Sequence, residues 1–171
     1  AFRRAEIEER AQYLDVVGEG VGNGGQPLLQ AQQRHLQHPL EPGRIGDEYY
    51  VTRGHIHARA NRPETYYGES GTGLMLMESP DGETQILEIA PRVMVYVPPM
   101  WIHRSVNTGT EPLVMSFCYP ADSGQDYEII ARSGGMARRI VADGAGWKAV
   151  DNADYRPRSA DQVAAVLATR D

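Results

Sequence analysis

Gly54-His55-Ile56-His57, then the turn-forming Asn61-Arg62-Pro63, then Glu64-Thr65-Tyr66, is the stretch whose reading decides the fold and the chemistry of this chain. Histidines at i and i+2 of an extended segment project from one face, with Ile56 on the other. Glu64 comes seven residues after His57, and a hairpin through Asn61-Arg62-Pro63 would return its carboxylate opposite the two imidazoles. His103 follows 39 residues after Glu64, just past Pro98-Pro99 and Trp101, where another strand would complete the cluster. Three imidazoles and one carboxylate suit one divalent transition ion per chain, whether Fe, Mn, Ni, Co or Zn. Four protein ligands leave two positions open in octahedral coordination, which suits a substrate with adjacent oxygens. Alone, a His-x-His pair reads more simply as a surface pair or a hydrogen-bonded one. Gly54 reads either as a bend in the strand or as a place where a ligand approaches the backbone.

Working outward, residues 45–142 form short β-rich runs separated by Gly, Pro and Asp, the core of an all-β sandwich or small barrel. The runs are Asp47 to Thr52, Thr65 to Tyr67, Leu74 to Met77, Thr84 to Ile89, Arg92 to Val97, Leu113 to Cys118 and Ala137 to Ala142. Pro80-Asp81-Gly82 supplies a hairpin turn. A helix is expected at residues 159–169, with Ser159 as N-cap and Asp161 in the first turn. Residues 1–44 read as a mixed N-terminal segment: a helix at Ala5 to Ala11, a glycine-rich loop at 18–25, and a polar stretch in which His35 is solvated and His38 is ambiguous. The loop lacks the strand and helix that a dinucleotide-binding glycine motif requires. No repeat or linker marks a second domain.

Composition removes other classes. At 171 residues the chain can bury a core without staples. A single cysteine excludes an internal disulfide framework, and Cys118 reads as a small core residue. A net charge of −6 with no basic run argues against nucleic acid as a partner. The longest apolar stretch, around Val93 to Val97, falls far short of the ~20 residues of a spanning helix. No charged-then-apolar signal opens the chain, and a cytoplasmic setting is expected. Its first residue is Ala1, as in a chain processed or partly represented at its start. Of 17 basic residues only Lys148 is lysine, in a context that does not suggest catalysis.

Gly54-His55-Ile56-His57, Glu64 with Tyr66, and Pro98-Pro99-Met100-Trp101-Ile102-His103 together resemble the two metal-binding motifs of the cupin superfamily. Three longer segments narrow the match: Glu41 to His55, with its Thr52-Arg53-Gly54-His55; Val95 to Arg104; and Tyr119-Pro120-Ala121-Asp122-Ser123-Gly124-Gln125-Asp126-Tyr127. They are similar to the cupin-type, archaeal-type glucose-6-phosphate isomerases, from about Pro42 to Asn152.

That resemblance implies a jelly-roll type β-barrel with a few peripheral helices, and a metal-dependent interconversion of D-glucose 6-phosphate and D-fructose 6-phosphate. It implies His55, His57, Glu64 and His103 as metal ligands, with Glu64 and His103 at the reacting centre. Thr52 and Gly54 would hold the phosphate, and Tyr66, Tyr119 and Tyr127 would face the sugar. Family members often carry histidine where this chain has Gln125, an amide that cannot act as a base near neutral pH. Counting back from Pro42 sets His38 where the family has a second phosphate-binding threonine. A homodimer is implied in the same way. Two routes stay open: enediol proton transfer with Glu64 as base, and a metal-assisted hydride shift with Glu64 as ligand or carrier of the hydroxyl proton. Other cupin enzymes, such as a mannose-6-phosphate isomerase or an oxygenase, use the same ligand set, and a non-catalytic sugar-phosphate binding cupin would need it too.

Overall fold

The computed structural model describes residues 33–168, with side chains from residue 39 onward. The expected helix at 5–11 and glycine-rich loop at 18–25 lie outside the described residues. Along the chain the elements are β1 (Gln33–Leu40), β2 (Arg44–Ile45), β3 (Glu48–Tyr49), β4 (Glu64–Ser70), β5 (Gly73–Glu78), β6 (Thr84–Ile89), β7 (Met94–Val97), β8 (Ile102–Asn107), β9 (Leu113–Pro120), helix α1 (Glu128–Arg132), β10 (Arg138–Asp143), β11 (Gly146–Asp151) and helix α2 (Ala160–Leu167).

Three antiparallel sheets form, in the orders β1-β9-β4-β7, β6-β5-β8 and β11-β10-β3-β2. Bridges from Val51 to Val106 and from His55 to His103 lay the chain that leaves β3 alongside β8, which widens the β6-β5-β8 sheet. The result is the all-β, jelly-roll type architecture expected of a cupin.

The core has two compartments because β5 is buried on both faces. Met75 and Met77 pack with Tyr66, Ile89, Val95, Val97, Leu113 and Met115, side chains contributed by both facing sheets. Leu74 and Leu76 point the other way, into a cluster with Ile56, Ile102, Val106, Ile129, Ile130, Met136 and Ile140. A strand covered on both sides needs a continuous apolar run rather than alternation, and Leu74-Met75-Leu76-Met77 is that run. At the end of β5, buried Glu78 accepts from both terminal nitrogens of Arg158 at 2.8 Å and from the Tyr155 hydroxyl at 3.1 Å, which ties the chain ahead of α2 to the sheet.

Several elements depart from the sequence reading. β1 is a full strand paired with β9 inside the polar N-terminal segment; among the described residues it lies at the sheet edge, where Pro39 is tolerated. The run 47–52 shortens to β3 followed by isolated bridges. β11 and α1 were not anticipated, since the glycine- and charge-rich stretches holding them lack clear periodicity. Cys118 is only half-buried: it sits opposite Thr65, between inward-facing Phe117 and Tyr119, and so belongs to the outer face of its sheet rather than the core. The Asp81-Gly82 turn forms as expected, with Gly82 N–H donating to Ser79 O at 3.0 Å. So does α2, where Ser159 and Gln162 cap each other reciprocally. No helix among the described residues is long and apolar enough to cross a membrane.

Candidate metal centre

The three histidines and Glu64 meet inside the sandwich, though not by the expected hairpin. His55 and His103 are bridge partners on one layer, and His57 lies two residues on, so all three imidazoles leave the same face. Ile56 points away into the outer cluster, as alternation requires. Glu64 opens β4 on the facing sheet, opposite Val97 of β7, so the loop 58–63 crosses between layers instead of folding back. Oε2 of Glu64 lies 2.9 Å from His103 Nε2, 3.3 Å from His57 Nε2 and 3.9 Å from His55 Nε2. Glu64 and His103 are each 2% exposed, so bulk water does not screen these charges.

The outer ring nitrogens decide what the inner ones can do. His57 Nδ1 donates to the Arg62 carbonyl at 2.8 Å and His103 Nδ1 to the Trp101 carbonyl at 3.2 Å. A ring that gives its Nδ1 proton to a carbonyl presents a bare Nε2 lone pair, the form in which histidine binds metal. Nε2 of both His55 and His57 is buried with no hydrogen-bond partner among the described residues. Buried polar atoms are rarely left so. Lone pairs and an anionic oxygen converging on one point are mutually repulsive unless a cation or protons sit among them, so the donor set fits a divalent transition ion.

Electrostatics agree. Burial would raise the Glu64 carboxyl, but the close imidazoles of His103 and His57 outweigh it and pull the pKa from its ordinary 4.5 to about 2. Burial, reinforced by the His103 charge, holds His55 well below the ordinary histidine value. Burial, then the charge and hydrogen bond of Glu64, push the Tyr66 hydroxyl well above the ordinary phenol, so it stays a donor.

The three expected tyrosines surround this cluster. Tyr66 lies against His103, Tyr119 against His57 and Tyr127 against His55, with ring centroids 5.9, 5.4 and 5.5 Å apart. Gln125 accepts a hydrogen bond from the Tyr127 hydroxyl, and the Arg53 guanidinium lies 4.6 Å above the Tyr127 ring. Thr52 N–H donates to Ser105 O, and Thr52 Oγ1 accepts from Ser105 N–H at 3.0 Å, leaving the hydroxyl proton for another acceptor. Gly54 has φ +72°, and a Cβ there would stand 2.9 Å from His103 O and 2.8 Å from Arg104 Cβ. Its missing side chain therefore points into packed protein, which favours the bend over ligand approach through the Cβ position. His38 faces Met115 in the β1–β9 register; its side chain lies outside the described residues.

Sequence reasoning missed Phe117, stacked with Tyr119 at 6.1 Å, and the carbonyls of Arg62 and Trp101 that orient two imidazoles. Main-chain acceptors leave no trace in residue type.

A family model described as glucose-6-phosphate isomerase (GPI) matches residues 7–158. The chain belongs to that family. A glucose-6-phosphate isomerase of Sinorhizobium medicae is 64% identical over 126 residues, covering 73% of this chain and 59% of the relative. One from Thermococcus gammatolerans is 46% identical over 113 residues, covering 66% of this chain and 59% of its own. The chain thus matches less than two thirds of the length of these family members. Among solved structures, a variant of Bacillus subtilis oxalate decarboxylase aligns with a TM-score of 0.43 and 26% identity, over 55% of this chain and 22% of that one.

Proposed function

We propose that this chain interconverts D-glucose 6-phosphate and D-fructose 6-phosphate, a step of glycolysis and gluconeogenesis, with one divalent transition ion held by His55, His57, Glu64 and His103. The observation that carries the reading is the convergence of these four donors, two of them with orphaned Nε2 atoms, beside the rings of Tyr66, Tyr119 and Tyr127 in a family member. When bound, such an ion polarises a carbonyl oxygen and stabilises negative charge that develops on it.

The protein's own groups supply the rest. Tyr66, Tyr119 and Tyr127 wall the space over the imidazoles and exclude water from the reacting carbons. The Thr52 hydroxyl proton and the Gly54 N–H have no acceptor among the described residues, and both suit phosphate oxygens. A local grip is needed because the chain is acidic overall. Gln125 orients the Tyr127 hydroxyl without acting as a base. His38, at the register position opposite Met115, is included as a phosphate-binding candidate.

Glu64 is one of the four converging donors, and a carboxylate that ligates a metal ion loses basicity toward a carbon-bound hydrogen. That supports the route in which hydrogen passes from C2 to C1 within the substrate while Glu64 carries the hydroxyl proton from O2 to O1. Reaction in deuterated water tests it: fructose 6-phosphate without solvent deuterium is expected, and stoichiometric incorporation contradicts it. The activity itself is tested by assay on glucose 6-phosphate beside mannose 6-phosphate and oxygen uptake. Turnover of mannose 6-phosphate alone, oxygen consumption, or binding without turnover would replace the proposal with another cupin activity. A cytoplasmic homodimer belongs to the same reading, and the exposed Tyr67, Met94 and Tyr96 on the outer face of β4 and β7 support a second copy; light scattering tests it.

A further inference from the structure

We propose that Asp122 is a positioning residue for the metal centre, acting through the main chain of Arg62 on the ring of His57. The inference rests on the metal reading above. Loop 58–63 has two duties: it carries the chain from His57 to Glu64 across the layers, and its Arg62 carbonyl holds His57 Nδ1 at 2.8 Å. What fixes that carbonyl is therefore a matter for the imidazole.

Near the start of the loop, Arg59 N–H donates to Ser123 O at 2.9 Å, and in its middle Ala60 O accepts from Met100 N–H at 2.6 Å. At its far end, Arg62 grips Asp122 in a two-pronged pair, Nε to Oδ1 at 3.1 Å and Nη2 to Oδ2 at 2.9 Å. Arg59 Nη1 meets the same Oδ2 at 2.5 Å. One carboxylate thus clamps both ends of the loop, and two parallel bonds to a planar guanidinium fix orientation as well as distance. Asp122 is itself anchored, because the next residue, fully buried Ser123, turns back with its N–H and hydroxyl both donating to Pro120 O at 3.0 and 2.6 Å. Pro120 follows Tyr119, the residue whose ring lies against His57. The Asp122 turn and the His57 ring are therefore held together from both sides.

The pair is half-exposed, and such pairs contribute little to global stability. Its effect should be local. In Asp122→Ala, the His57 ring in metal-free protein is expected to shift from a pure Nδ1–H tautomer to a mixture, read by nitrogen-15 NMR. Zn²⁺ affinity, from chelator competition, should weaken roughly tenfold, the lower end for partners of metal-binding histidines, while the melting temperature of the metal-free protein barely moves. Arg62→Ala should reproduce both effects, and the double variant should add nothing further. An unchanged tautomer and affinity in Asp122→Ala, additive single variants, or a fall in metal-free melting temperature that accounts for the weaker binding would each overturn the proposal. If the unaltered protein binds no Zn²⁺, the metal reading fails, while the tautomer measurement still reports whether Asp122 orients His57.

Discussion

His103 Nε2 and Glu64 Oε2 stand 2.9 Å apart although their residues come from facing sheets, so one contact joins the two layers at the chemical centre. Replacing either partner should separate chemistry from folding. His103→Ala and Glu64→Gln are each expected to lower activity on glucose 6-phosphate by more than about 10²-fold and to reduce bound metal, with far-ultraviolet circular dichroism unchanged. Full activity in either variant would remove that residue from the centre.

Acid should loosen the metal-free protein in two stages. His55 is held below its ordinary value, so as pH falls below about 6.5 the unfolded chain takes up a proton that the native state refuses. Glu64 adds to this between its ordinary 4.5 and about 2, again with the unfolded state binding the extra proton. Both contributions have the same sign, stability lost as pH falls. Melting temperatures of metal-free protein measured from pH 8 to 3 should decline across both windows. For His55→Ala the first decline should shrink.

Gly54→Ala should damage both fold and site. The added methyl meets the His103 carbonyl, and φ +72° is costly for any residue with a Cβ. A destabilisation of about 2 kcal/mol or more in urea denaturation is expected, with weaker metal binding because His55 and His103 are bridge partners beside it. A stable variant with normal metal affinity would show that this bend tolerates a side chain.

Arg158→Ala should cost about 3–5 kcal/mol, since Glu78, fully buried, loses the guanidinium that compensates its charge. Replacing Glu78 by Leu together with Arg158 by Met should recover much of that loss. A double variant no better than the single one would assign the effect to packing of the chain ahead of α2.

These relationships were unequally legible in the sequence. The His-x-His alternation, the Ser159 cap and the Leu74 to Met77 strand follow from periodicity and residue type, which local physics reads directly. The route of Glu64 does not: Asn61-Arg62-Pro63 looks like a hairpin turn, and only pairing of β4 with β7 and β9 shows that the chain changes layers. β1 was hidden because its polar sequence acquires strand structure from β9, a partner about 80 residues away. The residues that steer the imidazoles act through carbonyls, and Asp122 acts through a loop, so neither announces itself by chemical type.

The most direct test is to strip the protein with a chelator, verify metal content by mass spectrometry, and assay glucose 6-phosphate isomerisation before and after adding Fe²⁺, Mn²⁺, Ni²⁺, Co²⁺ or Zn²⁺ singly. The expected result is loss of activity with the metal and its return with about one ion per chain, matched by no return in Glu64→Gln. Undiminished activity in verified metal-free protein would contradict the metal-centred account.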